Sequence, residues 1–457
     1  MNQFVILKQP TMSNIIVEVI SKETIKPSTP TPHQFKNHSL SLIDQYIVPS
    51  FVPLIFFFPA VPGLYDHTAG NKQHGDNILL LKRSLSETLS HFYPLAGRVK
   101  DNIVVDCNDQ GIEFIEAKVS GSMSEFLKKP DDHLSGLLPS KVVCMNYVTN
   151  TQVFVQVNSF ECHSTAICLC VSHKVADVAT ITTFIRCWAQ TNISVSRTTS
   201  IGSKLHPTFD SASLFPPIKQ LVSPTMVTPT ELDSTPLEES KSISKIISKR
   251  FVFDAKMINS VREKISATMV DKYKSRRLSR VEIVSALIWK SFVKLATPGS
   301  SSVIVRHAVN LRRRIDPPLP DVSFGNILEF TKLVVGSAST TTQGTSKLHE
   351  DLNEFVCQLR ESISKMNKGD HDFDMENTEN EGRNLWMSSW GSYGSYDIDF
   401  GWGKPIWVTT VGPMFAFSDV FYMNDTRCGQ GIEVWGNLVE EDMDNFQRNL
   451  SKLLERI

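Results

Sequence analysis

Apolar residues recur along this chain in two rhythms, one of period two and one close to 3.6, and the two alternate. Val153, Val155 and Val157 are spaced as in a strand with one buried face. The run 166–171 (Ala-Ile-Cys-Leu-Cys-Val) is apolar throughout, which predicts a strand buried on both faces. Helical spacing takes over at Ile181, Phe184, Ile185 and Trp188. Upstream, Ile78, Leu81, Leu85 and Leu89 mark a helix with Asp76 and Asn77 as candidate caps, ended by Pro94 and Gly97. The most apolar stretch, 51–59, is too short to span a bilayer and is interrupted by prolines, so it reads as a buried strand.

Regular structure resumes in the second half with a strand at 250–253, after which Asp254 can cap a helix carrying Ile258, Val261 and Ile265. Val281, Val284, Leu287, Ile288 and Phe292 mark a second helix, opened by a capping box of Ser279 with Glu282. Leu348, Leu352, Phe355, Leu359 and Ile363 mark a third. The last helix carries Phe446, Leu450, Leu453, Leu454 and Ile457, with Glu440, Glu441 and Asp442 at its positive end. Between the halves, 191–249 is rich in Ser, Thr, Pro and Lys, the composition of a surface crossover. A chain of 457 residues exceeds what one core usually holds. The expected organisation is an α/β fold with an N-terminal domain over 1–200, a linker over 201–249 and a C-terminal domain over 250–457.

Charge narrows the functions. Lys and Arg number 47 against 48 Asp and Glu, which argues against nucleic acid as a partner, since phosphate binding leaves a basic footprint. The eight cysteines include no C-x-x-C pair and no Cys/His cluster of zinc-finger spacing, so no metal is expected. With no secretory leader in view and no apolar run of spanning length, the chain reads as a cytoplasmic protein with free thiols and no membrane contact.

The candidate chemistry sits where the buried strand gives way to a loop. His173 follows that strand, and Asp177 comes four residues later. An imidazole in such a place can act as a general base near neutral pH. Asp177 could orient it, as in a serine hydrolase triad, or serve a structural role. Far downstream stands a second block, Asp399, Phe400, Gly401, Trp402 and Gly403, whose glycines suggest a tight turn. No glycine-rich loop or H-R-D supports a kinase reading of its D-F-G, and G-x-S-x-G, P-loop and H-E-x-x-H motifs are absent from the sequence.

H-x-x-x-D followed by D-F-G-W-G resembles the plant BAHD acyltransferases, which move an acyl group from coenzyme A to an alcohol or amine. Segments 17–27, 207–217, 316–326 and 423–435 are similar to alkaloid O-acetyltransferases of that family. This chain departs from them in a longer arm before Val17, a shorter segment over 368–383, and His163-Ser164 where relatives carry a Gly pair. The resemblance implies two chloramphenicol-acetyltransferase-like domains, mixed sheets flanked by helices, and an active-site channel at their interface. It implies His173 as the catalytic base, and Asp177 turned away from the site and paired with Arg312. It makes the Asp399 to Gly403 block a structural wall of the coenzyme channel. Ser388 and Trp390, in a stretch similar to the family's T-S-W, could donate to the oxyanion or the acceptor.

Two basic stretches fall where relatives hold coenzyme A: Lys272, Lys274, Arg276, Arg277 and Arg280, then Arg312, Arg313 and Arg314. Ser279, Arg280, Asn310 and Arg313 are the contacts this suggests, although a charge run is commonly a solvated face. The expected enzyme is a monomer with no permanently bound cofactor, acetyl-CoA as co-substrate and an alkaloid alcohol as acceptor. Salutaridinol is the acceptor the resemblance implies, with another benzylisoquinoline-type alcohol as the alternative. A non-catalytic binding protein on the same fold is a further alternative, against which the intact His173 and second block argue.

Overall fold

The computed structural model describes residues 15–60, 70–143, 151–197, 205–219, 245–268, 276–295, 302–335, 345–366, 382–391, 393–411 and 418–457. Lys272, Lys274, most of the linker and most of the 368–383 segment lie outside the described residues. Two large mixed sheets organise the chain. The first orders its strands Val17–Ile25, Ile112–Val119, Val153–Phe160, Thr165–Ser172, Phe51–Phe58 and Trp407–Thr409. Only the pair of Ile112–Val119 with Val153–Phe160 runs parallel in it. Helices Gly70–His91 and Val178–Arg197 pack together beside this sheet, tied by Ser84 Oγ donating to Asn192 Oδ1 at 2.9 Å and the Trp188 indole donating to Leu81 O at 3.1 Å.

The second sheet orders Leu328–Phe330, Ser302–Asn310, Gly382–Ser389, Val420–Asp425, Ile432–Val439 and Ile246–Phe253, with Leu333–Val335 also on Ser302–Asn310. Its helices are Ala255–Thr268, Arg280–Phe292, Thr345–Met366 and Glu440–Arg456. Asp254 Oδ1 accepts from Met257 N at 2.7 Å, and Ser279 with Glu282 forms the reciprocal capping box. A small sheet of Asn37–Ser39, Val104–Asp106 and Arg98–Lys100 completes the described strands. The mixed, helix-flanked sheets are those of the expected fold class.

Three details differ from the periodicity. The helix expected to start near Asp76 starts at Gly70, so Asp76 and Asn77 lie inside it and do not cap it. Adding polar turns to a formed helix is cheap compared with nucleating one, so a cap-type residue need not mark the start. The strand Ile246–Phe253 begins inside the stretch read as linker. The halves are also laced together, because Trp407–Thr409 pairs antiparallel with Phe57, Phe56 and Ile55 of the first sheet. Phe324, Trp390, Phe400, Val408, Tyr422 and Trp435 join the first sheet's apolar core from the second half.

Strand Thr165–Ser172 is buried along nearly its whole length between two antiparallel neighbours. It turns back from Val153–Phe160 through His163, whose φ is +63°, a left-handed conformation that ordinarily favours glycine.

Candidate active site

The strand carrying Cys168 and Cys170 ends at Ser172, and His173 leaves it. Its backbone N–H donates to Ser50 O at 2.8 Å, which pins the residue to the loop ahead of the neighbouring strand. The ring Nδ1 lies 3.0 Å from Asn326 Oδ1, leaving Nε2 as the nitrogen available to a substrate. Asn326 Nδ2 donates to His173 O and to Asp44 Oδ1, each at 2.7 Å. Burial lowers the His173 pKa below the ordinary 6.5, against the opposing charges of Asp177 and Asp44, so the ring is neutral at pH 7. Next to it, the buried Lys174 ammonium donates to Gln45 O at 3.0 Å and Ile47 O at 2.9 Å, securing the short helix Leu42–Tyr46. Burial pushes the Lys174 pKa down to about 8.

Asp177 lies in a buried ion pair with Arg312. Arg312 Nη1 donates to its Oδ2 at 2.6 Å and Nη2 to its Oδ1 at 3.0 Å, a fork-to-fork geometry. Thr180 N and Ile327 N donate to the same carboxylate at 2.9 and 3.1 Å. Arg312 is 0% exposed, and its remaining donors reach Ser323 O, Gly325 O and Thr180 Oγ1. Gly325 is required here: its φ is +111°, and a Cβ would meet Ser211 Oγ at 2.8 Å. The pair therefore clamps the 323–327 loop, which presents Asn326 to His173.

The other candidates divide. Trp390 Nε1 donates to Ser388 Oγ at 2.9 Å, so the indole N–H is engaged while the Ser388 hydroxyl hydrogen stays available to another acceptor. A cavity of about 240 Å³ adjoins Trp390, its lining including Tyr393, Tyr396, Asn424, Asp425 and Arg427. Arg280 reaches its wall by an ion pair to Asp425 at 2.9 Å, and also donates to Gly431 O. Asn310 holds Arg312 N through its Oδ1 at 3.0 Å and donates to Tyr393 Oη at 3.3 Å. Ser279 and Arg313 are not among the residues lining that cavity. The Ser279 hydroxyl caps its helix, and Arg313 pairs with Asp321 out in solvent. In the second block Asp399 Oδ1 accepts from Gly401 N at 2.7 Å and Gly403 N at 2.9 Å, closing a turn with φ of +104° and +108° at the two glycines. The turn seats Phe400 against Trp188 and Phe58 in the core.

Cys168 and Cys170 lie side by side with their Sγ atoms 3.7 Å apart, both fully buried in the sheet. Burial pushes the Cys168 thiol up, the opposite of what a nucleophile needs. Asn326 and Asp44 escaped the sequence reading, although Asn326 sits inside one of the segments similar to relatives. Among the described residues no His, Cys, Asp and Glu group could hold a metal ion, and no helix is long and apolar enough to cross a membrane.

Residues 15–453 match the Transferase family. Two Papaver somniferum proteins align over almost the whole chain. (13S,14R)-1,13-dihydroxy-N-methylcanadine 13-O-acetyltransferase is 47% identical, covering 97% of this chain and 99% of that protein. Salutaridinol 7-O-acetyltransferase is 48% identical, covering 98% and 100%. The crystal structure of vinorine synthase superposes with a TM-score of 0.73 at 31% identity, over 96% of this chain and 98% of that one. The chain belongs to the Transferase family of BAHD acyltransferases and is an acyltransferase.

Proposed function

We propose that this enzyme is an acetyl-CoA-dependent alkaloid O-acetyltransferase, with salutaridinol as acceptor and the 7-O-acetyl ester as product. The observation that carries the chemistry is His173, neutral at pH 7, with Nδ1 engaged by Asn326 and Nε2 left for a substrate hydroxyl. In the proposed reaction Nε2 takes the hydroxyl proton as the alcohol oxygen attacks the thioester carbonyl carbon. The Ser388 hydroxyl donates to the oxyanion that forms. Collapse of the tetrahedral intermediate breaks the carbon–sulfur bond, and the departing coenzyme A thiolate recovers the proton from His173. Arg280, ion-paired to Asp425 of the cavity wall beside Trp390, is assigned in this reading to the coenzyme side of a proposed channel between domains 1–200 and 250–457.

Support for the alkaloid acceptor comes from the two Papaver somniferum relatives, both named for alkaloid O-acetylation. Their near-equal identity also favours a second reading, in which the acceptor is (13S,14R)-1,13-dihydroxy-N-methylcanadine. The seven described cysteines are all free thiols, which suits the proposed setting in the reducing cytoplasm. Steady-state turnover of acetyl-CoA with both alcohols decides: the reading expects kcat/KM to be highest for salutaridinol, and no transfer to either alcohol would end it.

Direct attack in a ternary complex predicts intersecting initial-rate lines when both substrates are varied. The thiols of Cys168 and Cys170 are buried, and no hydroxyl or thiol is hydrogen-bonded to His173 as an activated nucleophile among the described residues. Parallel lines, or an acetylated enzyme trapped with acetyl-CoA alone, would replace this scheme with a covalent one. A second expectation follows from burial of the base. As the His173 pKa is lowered, kcat/KM should fall on the acid side with a midpoint below 6.5. A midpoint above 6.5 would contradict the assignment of the base.

A further inference from the structure

Asp44 is a buried carboxylate, 1% exposed, to which the acyl transfer outlined above assigns no part. It sits at the third position of the short helix Leu42–Tyr46, where its Oδ2 completes a capping box with Ser41 N and Oγ, both at 2.8 Å. Capping uses only that oxygen. The other, Oδ1, is aimed out of the helix, across 282 residues of sequence, at Asn326, whose backbone N and Nδ2 both donate to it at 2.9 and 2.7 Å. This is more than a cap needs.

Asn326 Nδ2 carries two hydrogens, and the two acceptors within its reach are Asp44 Oδ1 and His173 O, each at 2.7 Å. Flipping the amide would set Asn326 Oδ1 against a carboxylate oxygen and a carbonyl oxygen, with no hydrogen between them. The carboxylate therefore fixes which way the amide points. With Nδ2 so committed, the atom facing His173 Nδ1 at 3.0 Å must be Oδ1, a pure acceptor. A neutral imidazole meets it only by keeping its proton on Nδ1, which leaves the lone pair on Nε2.

We propose that Asp44 is a positioning residue that selects the tautomer of His173 through Asn326, so that Nε2 is the basic nitrogen when substrate arrives. This rests on the reading of His173 as general base. The groups around the ring are consistent with it. Asp44 accepts four hydrogen bonds, three of them from N–H groups that cannot accept in return, which favours the ionised carboxylate against the burial that raises its pKa. The Lys174 ammonium is turned to backbone carbonyls, and the Arg312 guanidinium is occupied by Asp177. Neither cation competes for Asn326.

The test uses the full-length enzyme labelled with ¹⁵N-histidine, its His173 resonances identified by their loss in His173→Ala. In the wild type the ¹⁵N shifts should place the proton on Nδ1. In Asp44→Asn the Asn326 amide loses its fixed partner and turns its N–H₂ to His173, so the proton should move to Nε2 in nearly all molecules. Its kcat should fall by about 10²-fold, as when a histidine base is left in the wrong tautomer, while KM for acetyl-CoA stays within about twofold. A wild-type proton on Nε2 overturns the proposal, and this measurement stands even if Asp44→Asn does not fold. An Asp44→Asn enzyme with an unchanged tautomer also overturns it, whether or not kcat falls, because Asp44 would then be only a cap. Should His173→Ala remain active, the base assignment fails, and the shifts still report separately what sets the tautomer.

Discussion

Replacing His173 with Ala is expected to lower kcat by roughly 10²- to 10⁴-fold, the usual cost of losing a positioned base. The fold should survive. The contacts that seat this residue are largely backbone ones, its N–H to Ser50 O and its carbonyl from Asn326 Nδ2, and alanine keeps both. The ring's side-chain bond, Nδ1 to Asn326, is worth about 0.5–1.5 kcal/mol net, so melting should shift only slightly. The loss should fall on kcat more than on KM for acetyl-CoA, because proton removal is completed only in the transition state. A folded variant turning over near the wild-type rate would require another base, and no other described histidine combines an end-of-strand position with an engaged Nδ1 and an available Nε2.

The reach of the sequence ended where contacts became distant. Long periodic elements were legible because each writes its own pattern: Phe446, Leu450 and Leu453 are buried along the last helix, and every residue of 166–171 is buried in its strand. Trp407–Thr409 was not legible, since three residues carry no period and their partners are Ile55 to Phe57 in the other half. The helix start at Gly70 was missed because a polar first turn looks like a loop. The site divided in the same way. His173 announced itself through the run that precedes it, but its neighbour Asn326 is 153 residues away, and an asparagine in a loop has no signature. The Arg312 pairing came from resemblance, because no local pattern links residues 135 apart. The sequence offers Ser388 and Trp390 as two donors, whereas the indole N–H is spent on the Ser388 hydroxyl. Only contacts in three dimensions distinguish a free donor from one already bound.

Asp177→Asn tests what the H-x-x-x-D carboxylate is for, and the expected result is a loss of stability of about 3–5 kcal/mol, typical of breaking one partner of a buried pair. The carboxylate takes four donors, two from Arg312 and one each from Thr180 N and Ile327 N. An asparagine offers one acceptor oxygen and turns N–H toward donors at the other position. Arg312 would keep its bonds to Ser323 O and Gly325 O but lose its counter-charge in a site with no exposure. Because that pair anchors the 323–327 loop, slackening it should also loosen Asn326 against His173, so activity falls together with melting temperature. Acid gives an independent check. Burial alone would raise the Asp177 pKa, but the Arg312 charge and the hydrogen bonds from Arg312, Thr180 and Ile327 outweigh it and hold the carboxyl below the ordinary 3.8. A depressed native pKa means its stabilisation is present above the unfolded value and is lost as pH falls toward the folded one. The stability gap between wild type and Asp177→Asn, read by denaturant unfolding, should therefore be widest near neutrality and shrink below pH 3.8. A variant that melts like the wild type yet loses activity steeply would reverse the assignment, making Asp177 the orienting member of a triad with His173 and the Arg312 pair incidental.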